Sequence, residues 1–189
     1  MKSLKTLWLA GTALLIASPA LAHPGHGATS GFSAGFAHPF LGADHLLAMV
    51  TVGIWAAHYG DRKSLALPIG FVGGMLFGAA TGYLGFGLPG AESLIALSLV
   101  VLGAALALST RLPLTVAAGL TVTAGLVHGH AHAVEASGSA FAYVAGFVIA
   151  TSLLHAAGGL AGRRFAVLRL AAPLAGGVVA FAGLTMLAG

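Results

Sequence analysis

The chain has 189 residues, of which 58% are hydrophobic and only 6% charged, and its mean hydropathy is +1.00. Soluble domains carry about a quarter charged residues, so the composition excludes an ordinary water-soluble fold and specifies an integral membrane protein. Eight Lys and Arg face four Asp and Glu, yet there are nine His and no Cys. Disulfides, thiolate metal sites and thiol catalysis are therefore excluded, and any metal must be held by nitrogen or oxygen.

Residues 1–22 place Lys2 and Lys5 before an apolar run from Leu7 to Ala17, followed by Pro19 and the small-residue ending Ala20, Leu21, Ala22. A positive end, an apolar run too short to span comfortably and an A-x-A site make a secretory signal peptide. Cleavage would leave His23 as the mature N-terminus, outside a bacterial inner membrane. Residues 23–33 then form a periplasmic His/Gly-rich lead in which His23 and His26 can scavenge metal. Pro24 lacks the amide N–H that the usual N-terminal chelate requires.

From residue 34 to 189 the sequence predicts an all-α membrane bundle of about six transmembrane helices, near 34–58, 65–85, 92–109, 113–134, 139–160 and 167–188. Each is long enough, at about 1.5 Å per residue, for about 30 Å of hydrocarbon. An open sheet cannot satisfy its backbone in lipid, and the alternation of a barrel is absent. With the mature N-terminus outside, the first, third and fifth connections are cytoplasmic. They hold Arg62 and Lys63, Arg111, and Arg163, Arg164 and Arg169, all the Lys and Arg of the mature chain. The outward connections hold only acids, so the charges obey the positive-inside rule and place the C-terminus in the periplasm.

The first span carries His38-Pro39-Phe40-Leu41-Gly42-Ala43-Asp44-His45, with Met49 one turn on. On a continuous helix His38, Gly42, His45 and Met49 share a stripe, with Asp44 about 100° aside. Asp44 either ligates directly or holds a His ring through its second nitrogen. Pro39 opens or kinks the helix. Met49 is a soft ligand or core packing, and His58 is interfacial. In the second span Gly70, Gly74, Gly78 and Gly82 recur every four residues, clearing a face for close packing inside the bundle. Glu92 opens the third span as a cap or as a collector of cations.

The fourth span ends in His128-Gly129-His130-Ala131-His132-Ala133-Val134-Glu135. His128 and His132 stand at i, i+4, the spacing by which one helix face offers two imidazoles to one metal, and Glu135 follows at i+3, while His130 points elsewhere. In the fifth span Thr151 and His155 lie a turn apart, nearer the cytoplasmic side, as a relay or exit position or as packing. Ionisable groups in spans are costly and usually functional, and two His pairs with carboxylates at the same outer level point to a divalent metal. Imidazole with carboxylate suits Ni2+, Co2+, Zn2+ or Cu2+, and spacing does not choose among them.

The pattern H-P-x-x-G-x-D-H-x-x-x-M formed by His38, Pro39, Gly42, Asp44, His45 and Met49 resembles the signature of the HupE/UreJ family of nickel permeases. The H-G-x-A-H-x-x-E of His128, Gly129, Ala131, His132 and Glu135 is similar to the family's second motif, and Thr151 to His155 to its third. Ala133 departs from the Gly of many relatives, without removing a ligand. The resemblance covers the whole mature chain and implies uptake of nickel, or cobalt in some members, to supply hydrogenase or urease maturation.

The function expected is thus an inner-membrane permease, not an enzyme, with His38, Asp44, His45, His128, His132 and Glu135 binding the transported ion. Its partners are the metal ion and the lipid bilayer, with no nucleic acid, since the cations form no basic stripe. No ATP-binding loop is present, so the driving force is the membrane potential, an ion gradient or trapping inside. The alternative from another class is an intramembrane hydrolase whose His/Asp-bound Zn2+ activates water.

Overall fold

The structure, a computed structural model, describes residues 31–60, 62–108, 112–135, 139–165 and 170–189, and these contain helices and no strand. The helices in chain order are α1 (Phe32–Leu41), α2 (Ala43–Ala57), α3 (Ala66–Tyr83), α4 (Ala91–Ala107), α5 (Leu114–Glu135), α6 (Ala140–Phe165) and α7 (Ala171–Ala188), with a 3-10 turn at Arg62–Leu65. The signal peptide, His23, His26, Arg111 and Arg169 lie outside the described residues.

Every apolar segment read as a span is helical, but the first is two helices, α1 and α2, bent by 82°. Pro39 inside α1 supplies no N–H, and Gly42 adopts an extended conformation at φ −91°, ψ 117°, so the ladder ends three residues after the proline. By length and apolarity the 3-10 turn with α3, α6 and α7 can each cross a membrane, and the bent pair makes a fourth if counted as one span. The α4 helix has only 17 residues. The α5 helix has 22, and the three histidines near its C-terminal end lower its apolarity.

The bundle encloses an apolar core in which a set of polar side chains is also buried, and its outer surface is apolar as well. Leu41, Phe77, Leu84, Phe141 and Phe181 are exposed, while His45, Thr51, Thr121, His128, His130, His132, Thr151 and His155 are buried. Exposed large apolar side chains together with several buried histidines are what a water-soluble fold avoids.

Because lipid is as apolar as leucine, helices in it associate through close packing. Here glycine supplies the closeness. A Cβ on Gly74 or Gly78 of α3 would run into the carbonyls of Val122 or Leu126, and one on Gly125 or Gly129 of α5 into those of Phe71 or Met75. Gly70 and Gly82 extend the same face, so the four-residue glycine stripe packs within the bundle, onto α5. Gly103 and Gly176 join α4 to α7 in the same way, and Gly53, Gly158 and Gly162 join α2 to α6.

These pairings define the ends of the bundle. The Tyr59 hydroxyl donates to the Leu112 carbonyl at 2.8 Å, and Ser64, Leu65 and Arg163 line one cavity. The described residues that flank the three basic connections therefore lie at one end. The C-terminal ends of α3 and α5 meet at the other, where Gly82 faces Ala133.

Candidate metal centre

The break at Gly42 puts Asp44 and His45 in the first turn of α2. Asp44 Oδ1 accepts the His45 backbone N–H at 2.8 Å and the His45 Nδ1–H at 2.6 Å. Since a carboxylate only accepts, the ring proton sits on Nδ1 and Nε2 keeps its lone pair, the arrangement in which a carboxylate orients a metal-binding imidazole. Gly42 is required here by crowding and not by backbone angle. A Cβ at that position would stand 2.8 Å from Asp44 Oδ1 and 2.9 Å from His45 Nδ1.

His45 Nε2 meets Nε2 of His132, which α5 delivers from the fourth apolar segment. His38, in the last turn of α1, closes the third side, with its ring centroid 4.2 Å from that of His132 and 5.7 Å from that of His45. One nitrogen from each of His38, His45 and His132 lies within 4.8 Å of the other two. Imidazoles bound at about 2.1 Å to one ion hold their nitrogens roughly 3 to 4 Å apart, so closure on a cation needs shifts of under about one ångström. His45 and His132 are buried and His38 half-buried. Phe147 of α6 walls the group, its ring centroid 4.7 Å from that of His132 and 6.0 Å from that of His38.

A family model described as HupE / UreJ protein matches residues 11–186. The chain belongs to the HupE/UreJ family. Protein HupE of Rhizobium leguminosarum bv. viciae is 42% identical over 183 residues, which is 94% of this chain and 96% of that protein. No solved structure matches the chain.

In this HupE/UreJ member the first motif does not lie on one helix stripe. The bend replaces the continuous helix, so His38 and His45 face each other across Gly42, while Met49 is fully buried in the apolar core. Asp44 stands behind His45 as its orienting carboxylate. His128 packs on His45 with ring centroids 4.8 Å apart, but it is not in the three-histidine group. Its Nδ1–H donates to the Ala124 carbonyl at 2.8 Å, and its Nε2 is buried without a hydrogen-bond partner among the described residues. Glu135 ends α5, and its side chain lies outside the described residues.

Glu92 is exposed in the first turn of α4 and belongs to no donor group among the described residues. His130 is held apart by Thr81. The Thr81 hydroxyl donates to the Gly78 carbonyl at 2.7 Å, so its oxygen accepts from His130 Nδ1–H at 3.1 Å. His58 Nδ1–H donates to the Ile54 carbonyl at 3.1 Å. Thr151 and His155 sit deeper, with the Thr151 hydroxyl 3.8 Å from Met75 Sδ and the His155 ring 5.2 Å from that of Phe71. Sequence reasoning did not single out Phe71, Tyr143 or Phe147, because an aromatic residue on an apolar helix carries no signal that distinguishes a site wall from a lipid-facing or core side chain.

Proposed function

We propose that this chain imports a divalent transition-metal cation across the bacterial inner membrane, with Ni2+ as its principal cargo and Co2+ as the second. The observation that carries this reading is the meeting of His38, His45 and His132, from separate helices, inside an apolar shell with Asp44 orienting one of them. Three neutral imidazoles without a thiolate strip part of the hydration of a borderline cation and leave coordination positions for water, so binding is strong enough to capture and weak enough to release. Asp44 Oδ1 takes both hydrogen bonds from His45, the part of an orienting carboxylate. Kinship with the HupE/UreJ family supports the transport reading over the enzymatic one.

Direction follows from charge. The end of the bundle that gathers the basic connections faces the cytoplasm by the positive-inside rule, which turns the histidine group and the C-terminus of α7 to the periplasm. We read the apolar segments as six crossings, with the bent α1–α2 pair as the first, after removal of the signal peptide. The inward-negative potential then favours entry by about 2.3 kcal/mol per charge per 100 mV. The imported ion would supply maturation of a nickel enzyme such as hydrogenase or urease. Radiolabelled Ni2+ uptake into cells tests the reading, with Co2+, Zn2+ and Cu2+ as competitors. Replacing both His45 and His132 by Ala is expected to abolish uptake, and unchanged uptake in that variant would overturn the assignment.

A further inference from the structure

His155 is a buried ionisable side chain that the outer histidine group does not use. It is 4% exposed, and neither of its ring nitrogens has a hydrogen-bond partner among the described residues. An imidazole with two unsatisfied nitrogens packs less well than a leucine of similar volume, so packing alone does not account for it. Its ring stands at 87° to that of Phe71 with the centroids 5.2 Å apart. The same Phe71 ring meets His128 at 5.5 Å. One aromatic ring thus touches two buried imidazoles that each keep a nitrogen without a hydrogen-bond partner among the described residues, His128 packed on the outer group and His155 separate from it.

His155 also lines a cavity of about 680 Å³ whose wall is mostly apolar, with Ser64, Ser152 and Arg163 as its other polar members. Arg163 stands eight positions along α6 from His155, roughly 12 Å at 1.5 Å per residue, at the far end of the cavity wall.

We propose that His155 is a second position for the transported cation, on the inner side of Phe71, where one imidazole nitrogen and cavity water hold the ion before release. This rests on the transport reading above. A single protein nitrogen completed by water is a weaker hold than three imidazoles, so the ion passes from a capturing site to a releasing one.

The test uses the full chain. In His155→Leu, the protein is expected to melt within a few degrees of the parent and to bind Ni2+ at the outer group within twofold of the parent affinity, while radiolabelled uptake falls at least tenfold. His155→Gln, which restores polarity and bulk without imidazole ligation, is expected to be equally defective, and it carries the test if the Leu variant does not fold. The chain has no Cys, so Ala156→Cys, on the cavity wall, introduces a single thiol. In inside-out vesicles a membrane-impermeant maleimide should label it, and Ni2+ should slow labelling several-fold with His155 present but not in the His155→Leu background.

Parental uptake in His155→Leu, rescue by Gln, or loss of outer-site binding in both variants would each overturn the proposal. So would a thiol that water-soluble reagents never reach, which would mark the cavity as filled by a lipid chain. If the double His45 and His132 variant loses uptake while His155→Leu does not, this inference fails and the transport reading survives.

Discussion

His45 and His132 lie 87 residues apart in the chain, yet their Nε2 atoms meet in the interior of the bundle. To the three-histidine group each of these helices contributes a single imidazole. The contact depends on α5 being seated against α3 by glycine, and on α2 starting afresh at Gly42 with its first-turn imidazole turned inward. The site is therefore a product of helix placement, and the tests below perturb either its ligand chemistry or that placement.

Asp44→Asn retains the shape of the side chain but removes the charge that holds the His45 Nδ1–H. Loss of such an outer partner typically weakens metal affinity by about 10- to 100-fold. Ni2+ titration of the purified variant should show that drop with little change in melting temperature. Affinity equal to the parent would mean that His45 does not bind metal through Nε2.

Gly42→Ala adds one methyl group at a backbone conformation that alanine tolerates. The added carbon would lie 2.8 Å from Asp44 Oδ1 and 2.9 Å from His45 Nδ1, so the pair must move. Uptake should fall by an order of magnitude or more while the protein still folds, and circular dichroism beside transport separates the two effects. Normal uptake would show that the pair has slack.

Gly129→Ala is expected to destabilise the bundle by about 1–3 kcal/mol through overpacking against the Met75 carbonyl. That corresponds to several degrees of melting temperature for a chain of this size. Gly119→Ala, on the same helix with nothing within 4 Å of the added carbon, should be neutral or mildly stabilising, since alanine favours helix over glycine by about 0.5–1 kcal/mol. Equal melting temperatures for the two variants would contradict the close α3–α5 contact.

Ni2+ and a proton compete for the same imidazole lone pair. Acidifying the external medium at constant membrane potential should therefore depress uptake once the rings protonate, because the protonated ring cannot ligate. Initial rates of radiolabelled uptake over a graded acid series check the sign. A rate that climbs with acidity would point instead to an inward proton gradient as the driver.

Sequence patterning carried the helical architecture well. Apolar runs near 20 residues, closed by Gly, Pro and charge, mark the helices because lipid leaves the backbone no other way to satisfy itself. The four-residue glycine repeat from Gly70 to Gly82 announced a packing face, but only three-dimensional structure names α5 as its partner, since pairing in a bundle is not a local property. The first motif misled in one respect. Spacings of three and four put His38, Gly42, His45 and Met49 on one stripe of an unbroken helix, whereas Pro39 and Gly42 together end the helix and turn it by 82°. The i, i+4 spacing of His128 and His132 likewise says nothing about which of the two reaches across to His45. Hydrogen bonding to Ala124 and packing against Phe71 engage His128, and only His132 joins the group.

Both halves of the broken first span dock on one helix. Gly35 of α1 lies beneath the Tyr143 carbonyl and Gly146 of α6 beneath that of Phe32, while Gly158 of α6 lies beneath the Val50 carbonyl of α2. The distance between His38 and His45 is thus measured off along α6, which acts as a jig for two parts that the intervening residues alone would not align. A substitution at Gly146 or Gly158 would misregister the imidazoles without touching either, so the tolerance of the ligand set is written partly into positions that possess no donor atom at all.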